Sequence, residues 1–394
     1  MTRGAQFDLV RPRRGAERVT NIELFFDLVY VFAVTQLSRH LLGRPTVTGA
    51  LQTALLLAMV WLLWAYTAWV TNWLDPERMP VRLLLIALLL VALVMWAAIP
   101  ESFGTRGLII GIGYALSQIG RSIFAVVALR GRPLLRNFQR ILAWCVVSGA
   151  LAVAGGLASE PARAWFWLAA VGVDLLGGVF GFYTPGLGRS ETTEWTIEGK
   201  HFAERCQAFI LIALGESVLV IGATLSDVLG SHVSEAEAGA FLVAVVSSVG
   251  LWWLYFDRSA DEAARVIAAS ADPGRMGRTA YHLIHPVMVA GIIVAAAADE
   301  VMVSEPGVTG VAWKAWLVLG GTALYIAGHA AFKIAVWRVV PWSRLAAVAV
   351  LGLLGLAAPY VSLLGLGACA TAVVIAVAAL DYHPAGHQGQ PAPG

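Results

Sequence analysis

In the stretch RVTNIELFFDLVYVFAVTQL, from Arg18 to Leu37, Glu23 and Asp27 stand one helical turn apart in an otherwise apolar run. Two carboxylates at that spacing can hold a cation, exchange a proton, or pair with a base brought in from another helix. A second run, HFAERCQAFILIALGES, carries His201, Glu204, Arg205 and Glu216. Arg121, Asp174, His282, His285, His329 and Lys333 are the other ionisable side chains set within long apolar segments. An Asp, Lys or Arg at the centre of a bilayer-spanning helix costs about 2.5 to 3.5 kcal/mol on the insertion scale, and such groups face a bundle interior or a water-filled cavity. The chemistry they suggest is a transport or ion pathway formed by Asp27, Glu23, Arg205, Glu204, Glu216, Arg121, His282, His285, His329 and Asp174.

Each candidate also has a structural reading. Thr20-Asn21-Ile22-Glu23 fits a capping box, and an acid at a helix N-terminus complements the macrodipole. Asp27 lies one turn deeper than a cap can reach, so it requires a partner from elsewhere. Arg205 and Glu216 are eleven residues apart, so they share a helix face about 16 Å apart along the axis. Each must then find its partner on another helix or in a cavity: Arg205 reaches the depth of Asp27 and Glu23, and the cation against Asp27 is Arg205, Arg121 or a transported ion. Gly215, beside Glu216, offers a close approach for a neighbouring helix. His282 and His285, spaced i, i+3 before Pro286, form a metal pair, a proton relay or a substrate contact. Asp174 is a candidate to neutralise Arg121. The clusters Trp61, Trp64, Tyr66, Trp69 and Trp73, and Trp252, Trp253 and Tyr255, read as interface belts and packing.

The elements that position these residues are transmembrane helices. The chain is 59% hydrophobic and 13% charged with mean hydropathy +0.74, against roughly half apolar and a quarter charged in soluble domains. Hydropathy predicts an all-α, polytopic bundle with spans at about 22–42, 47–71, 81–99, 107–129, 137–158, 164–183, 201–222, 239–256, 279–298, 313–333, 343–359 and 361–380. Only the turn at Pro359 and Tyr360 separates the last two. The first segment carries acids and lacks a small-residue exit, so it is read as a retained helix rather than a cleaved leader. Nineteen of the 27 Lys and Arg fall on the side of the N-terminus and five on the other, which predicts a plasma-membrane protein with both termini cytoplasmic. Basic residues scattered over short loops exclude a nucleic-acid surface, and the absence of GxxxxGK[ST] argues against ATP-driven pumping. Cys145, Cys206 and Cys369 lie in apolar runs without CxxC spacing, so they read as buried free thiols, with neither disulfide nor zinc.

Residues 113–136, GYALSQIGRSIFAVVALRGRPLLR, align without gaps on residues 321–344, GTALYIAGHAAFKIAVWRVVPWSR, with eight of 24 positions identical. The identities include Gly113/Gly321, Gly120/Gly328, Pro133/Pro341 and Arg136/Arg344, which shared greasiness does not explain. The match predicts two parallel six-helix repeats, residues 22–183 and 201–383, related by an axis along the membrane normal. They are preceded by a basic segment (1–21), joined by a linker (184–200) and followed by a disordered tail (384–394). Arg121 and His329 then occupy equivalent positions, as counter-charges for the carboxylates or as direct contacts to an anion.

ELFFDLVYVFAVTQL at Glu23–Leu37, ERCQAFILIALGES at Glu204–Ser217, LWWLYFD at Leu251–Asp257 and YHLIHP at Tyr281–Pro286 resemble the bacterial low temperature requirement A (LtrA) family over nearly the whole chain. The resemblance implies an integral membrane protein of a family named for growth in the cold. Cys206-Gln207 stands where the family has Phe-Gly. Arg18 with Phe25-Phe26-Asp27 is also similar to the motif of potassium channels built from six-helix units with Phe-Ser-Asp, though Cys206-Gln207 breaks its recurrence in the second half. The expected function is a secondary transporter, not an enzyme, coupled to protons or another ion and acting on a small solute within the lipid bilayer. An ion channel of two six-helix repeats is the alternative, and a metal-dependent hydrolase using His201, His282, His285 and His329 a further one. No cofactor is called for, and the sequence is compatible with an oligomer.

Overall fold

The computed structural model describes residues 9–11, 19–190, 199–229, 234–257, 259–270 and 272–381. The tail and Arg3, Arg13, Arg14 and Arg18 lie outside them. Among the described residues the chain is helical, with two isolated β-bridges and no sheet. The helices are α1 (Asn21–Leu28), α2 (Tyr30–Gly43), α3 (Val47–Trp73), α4 (Met79–Ala98), α5 (Gly107–Ala128), α6 (Leu135–Leu157) and α7 (Ala162–Val179). They continue as α8 (Gly199–Leu229), α9 (Glu235–Phe256), α10 (Ser259–Ala268), α11 (Pro273–Gly277), α12 (His285–Ser304), α13 (Ala312–Trp337), α14 (Trp342–Ala357) and α15 (Leu363–Asp381).

Among the described residues, eleven helical segments are long and apolar enough to cross a membrane, α1 and α2 counting together as Asn21–Gly43. The expected eleventh span, 343–359, is α14, which has 16 residues and falls short of that length. The hydrophilic stretch 257–278, read as a loop, contains α10 and α11. Between α11 and α12, Arg278–Ile284 forms a π-helix, so the ninth span starts earlier than expected. On α4, Leu83, Ile86, Leu90 and Val94 form an exposed apolar stripe, a face that suits lipid rather than water. Cys369 is exposed on α15, whereas Cys145 and Cys206 are the buried thiols expected.

α3 is the buried axis of the first half: every residue from Met59 to Ala68 is out of contact with the surroundings. A helix that is apolar on all sides is stable only when surrounded, and α2, α5, α7, α8 and α12 pack around it. Trp61, Trp64 and Tyr66 are therefore core residues, a correction to the interface-belt reading; Trp252 and Trp253 on α9 are partly exposed, as that reading requires. Near the chain start, Arg11 donates its amide to the Trp73 carbonyl (2.9 Å) and Asp75 donates its amide to the Leu9 carbonyl (2.9 Å), tying residues 9–11 to the end of α3. At the opposite side, Arg163 gathers the carbonyls of Gly155, Ala158, Ser102 and Gly104, satisfying the open end of α6 and the turn after α4.

Two glycines that match in the aligned segments have the same task. A Cβ on Gly113 of α5 would fall 2.2 Å from Met95 Cγ of α4, and one on Gly321 of α13 would fall 2.6 Å from the backbone nitrogen of Ala295 of α12. The second obstacle is backbone, which cannot rotate away. Gly321→Ala should therefore cost about 1 to 3 kcal/mol, read as a lowered midpoint of thermal unfolding in detergent. Gly320→Ala, where a Cβ meets nothing within 4 Å, should hold or raise that midpoint.

Candidate functional site

Capping geometry starts the first site. Glu23 accepts hydrogen bonds from the Thr20 amide (3.0 Å) and the Thr20 hydroxyl (2.9 Å), so its role at the start of α1 is present. The same carboxylate is also fully buried against α8, with His201 Nε2 3.1 Å and Arg205 Nη1 3.8 Å from Oε1. Asp27, one turn on, is paired in bidentate fashion with Arg205: Nε donates to Oδ2 at 3.0 Å and Nη2 donates to Oδ1. Both rungs join residues 178 apart in sequence and step four residues along each helix. α1 and α8 therefore run parallel, in register, with acids on one and bases on the other.

α3 completes this ladder. Trp64 Nε1 donates to Asp27 Oδ1 (2.7 Å) and Thr71 Oγ1 accepts from Arg205 Nη1 (2.9 Å). The Arg205 guanidinium also lies 5.6 Å from the Trp64 ring centroid, within cation–π range. Arg11 enters from the tied N-terminal segment, 3.6 Å from Glu23 Oε1 and 3.0 Å from His201 Nε2. Two guanidiniums thus face two carboxylates in a buried space. A dry ion pair is tolerated when close pairing and hydrogen bonds offset its desolvation, as they do for Asp27 and Arg205, while Glu23 Oε1 has ion-pair neighbours without a hydrogen bond. Sequence reasoning anticipated the Asp27–Arg205 contact because each group lacked a partner on its own helix. Trp64, Thr71 and Arg11 carried no such signal.

A second site lies on the other side of α3. Trp64 and Thr71 bond to the ladder, while Leu63, Tyr66, Thr67 and Val70 border Arg121 or the space beside it. Arg121, buried, donates to the Leu63 carbonyl (3.4 Å), to Thr67 Oγ1 (3.3 Å) and to Gln118 Oε1, and lies 5.2 Å from the Tyr66 ring centroid. Asp174 does not neutralise it directly. Gln118 stands between them, donating to Asp174 Oδ2 at 2.6 Å, and Tyr114 donates its hydroxyl to the same oxygen at 2.5 Å. A cavity of about 510 Å³ opens beside Arg121, bounded by α3, α5, α6, α7, residues 180–190 and the π-helix.

The remaining candidates disperse. His285 faces the Cys206 carbonyl (3.1 Å) and stacks on Trp61, while His282 borders the cavity and its own carbonyl accepts from Trp61 Nε1 (2.9 Å). His329 Nδ1 accepts from Arg344 Nε (3.1 Å), and Arg344 is bidentate on Asp381, where Lys333 also lies 3.3 Å away. Among the described residues no three of His, Cys, Asp and Glu converge as metal ligands, so the histidines of the hydrolase reading do not form one site. Glu216 is buried with neither carboxylate oxygen hydrogen-bonded; Thr35, Arg39 and Glu300 are its polar neighbours. Gly215 beside it is open rather than closely approached, a correction. Glu204 is half-buried.

Removing one member of a buried pair leaves the other charge uncompensated. Asp27→Asn should cost about 3 to 5 kcal/mol, seen as reduced thermal stability of the purified chain. Asp27→Asn combined with Arg205→Gln should cost less than the sum of the two single changes, by about 1.5 kcal/mol or more. Strict additivity in that cycle would contradict the pairing.

The sequence model described as bacterial low temperature requirement A protein (LtrA) matches residues 18–379. An uncharacterized protein of Rhizobium meliloti (strain 1021) is 33% identical over 362 residues, covering 91% of this chain and 88% of its own length. No solved structure matches. The helices and buried ladder described above are thus those of an integral membrane protein, and the chain belongs to the LtrA family.

Proposed function

We propose that the chain is a secondary transporter of a small solute, built from two parallel six-helix halves and driven by protons taken up at His201. The observation that carries this reading is the position of His201 Nε2, which faces Arg11 Nη1 at 3.0 Å and the Glu23 carboxylate at 3.1 Å. One ring nitrogen cannot serve both at once. With a hydrogen on Nε2, as the neutral Nε2–H tautomer or as the imidazolium, it donates to Glu23; with Nε2 bare it accepts from Arg11. A proton arriving there changes which partner is held, and the choice is made at the contact between the first helices of the two halves. That is the form of a coupling site: a local charge change acting on two arrangements of one joint.

Three features support the two halves. The in-register ladder makes α1 and α8 parallel, as an even number of spans per half requires. Gly113 and Gly321 each seat a helix on its predecessor. The two cavities also lie at corresponding places: one draws on α3, α5, α6 and α7, and the other, about 440 Å³, on α9, α13, α14 and α15. With the 16-residue α14 crossing as one of twelve spans, the Lys/Arg bias supports cytoplasmic termini. A reporter enzyme active only in the cytoplasm, fused after the last residue, should be active; activity of a periplasm-only reporter instead would reverse the orientation.

The function is tested in proteoliposomes under an imposed pH gradient, with a panel of small solutes. Uptake of at least one solute should follow the gradient and vanish when it is collapsed. His201→Gln should lower gradient-driven flux at least about tenfold, or 1.4 kcal/mol of coupling, while exchange of solute without a gradient persists. Single-channel current steps, or flux indifferent to the gradient, would overturn the transporter in favour of a channel.

A further inference from the structure

We infer that the cavity beside Arg121 binds an organic anion with a carboxylate-sized head on an apolar body. This names the solute class of the transport reading above and rests on it. Its volume, about 510 Å³, falls among small-molecule sites, which span roughly 300 to 1,000 Å³. Its walls include the aromatic rings of Tyr66, Trp69, Phe138 and Phe182, suited to an apolar body. Its charges are Arg121 at the buried end, half-buried Arg278, exposed Arg189, and one carboxylate, Asp174.

The charge balance points to an anion. Asp174 accepts from Tyr114 and Gln118 through Oδ2 alone, and its buried Oδ1 has no hydrogen bond, so the cavity holds one carboxylate against three guanidiniums. Among the described residues no carboxylate lies within 4.0 Å of Arg121, Arg189 or Arg278. The partners of Arg121 are neutral oxygens, and its Nε is buried without a hydrogen bond. A buried charge needs a counter-charge. Two other buried arginines sit on carboxylates, Arg205 on Asp27 and Arg344 on Asp381, while Arg163 sits on the carbonyl end of α6, where the helix dipole is negative, and Arg140 donates to the Leu187 carbonyl and Asn137. Arg121 has no carboxylate in direct contact, Asp174 standing behind Gln118, and the space beside it is open. His282 Nδ1, also buried and without a hydrogen bond, belongs to the same wall. Arg189 and Arg278, set nearer the exterior, would draw the anion inward.

The test is isothermal titration of the full chain in neutral detergent with 4-phenylbutyrate, and with 4-phenylbutylamine and 4-phenyl-1-butanol as bodies of the same shape. The acid should bind at least about tenfold more tightly than the alcohol, and the amine should not bind. Two variants locate the site without removing Arg121, whose loss would endanger folding. Arg278→Gln removes a mouth charge. Gly178→Leu fills the cavity, since a Cβ there meets only Arg278 Cδ, at 3.7 Å. Each should weaken the acid at least about tenfold with an unchanged melting profile, whereas His201→Gln should leave it unchanged. Added phosphatidylglycerol separates the two sources of such an anion: competition identifies a lipid, and its absence a soluble acid. Equal binding of amine and acid, or undiminished affinity in both variants, would overturn the inference. Carboxylate binding without gradient-driven flux would remove the transport reading alone. Gradient-driven flux of solutes that the acid neither joins nor inhibits would remove the inference alone.

Discussion

The Asp27–Arg205 pair is the contact on which the arrangement of the first half depends. In a medium that hydrates neither charge, each fixes the other, and the bidentate geometry leaves little freedom in how α1 meets α8. The remaining donors and acceptors must then be brought to the same place. Trp64 and Thr71 come from α3, and Arg11 comes from a segment tied to the end of that helix. The Glu23–His201 rung keeps the same α1–α8 register, 178 residues apart like the deeper one. A hydrophobic pair could fill the same volume, and replacing buried ion pairs by apolar groups is often neutral or stabilising. What an apolar pair cannot do is sense a proton or change partners. Here a guanidinium and a carboxylate, Arg11 and Glu23, both face the one imidazole of His201.

α3 connects this ladder to the cavity. Trp64, bonded to Asp27, packs against Trp61 with ring centroids 4.7 Å apart, and Trp61 holds the carbonyl of His282 in the π-helix. On the opposite face Tyr66 lies under Arg121 and donates its hydroxyl to the Asp174 carbonyl at 2.9 Å. Adjacency alone does not make a coupling route; a route requires an element with two arrangements that both sites bias. The π-helix at Arg278–Ile284 has the right character. Such wide turns recur at functional sites, and this one supplies both a cavity residue, His282, and a base for Trp61.

The span pattern was legible because hydropathy summed over about 20 residues tolerates local error. The Asp27–Arg205 contact was legible for another reason: a charge inside a greasy helix demands a partner, and few were on offer. Legibility ended where the partner was neutral or lay across the fold. Trp64 looks like any membrane tryptophan until the carboxylate it serves is placed beside it. Gln118, which intervenes between Arg121 and Asp174, has no charge to advertise its role. Arg11 and Asp381 sit at the edges of apolar runs and read as solvated loop charges, yet each closes a buried cluster. The π-helix depends on tertiary neighbours and leaves no periodic trace. The cavity is a property of packing, absent from any one segment.

Under the two-half reading, the differences between the halves are as informative as the matches. Arg136 and Arg344 occupy aligned positions, and so do Arg121 and His329. In the second half Arg344 reaches His329 and Asp381 and Lys333 joins them, so both cations there touch a carboxylate directly. In the first half the inner position carries the guanidinium itself, and its nearest carboxylate is held off by Gln118. An internal pair at one site and an unmatched cation at the other is the division expected when duplicated halves part company. One cavity brings a carboxylate into direct contact with its cations; the other leaves its inner cation without one. That cation borders α3, and α3 also carries the ladder, so cavity and ladder meet at a single helix.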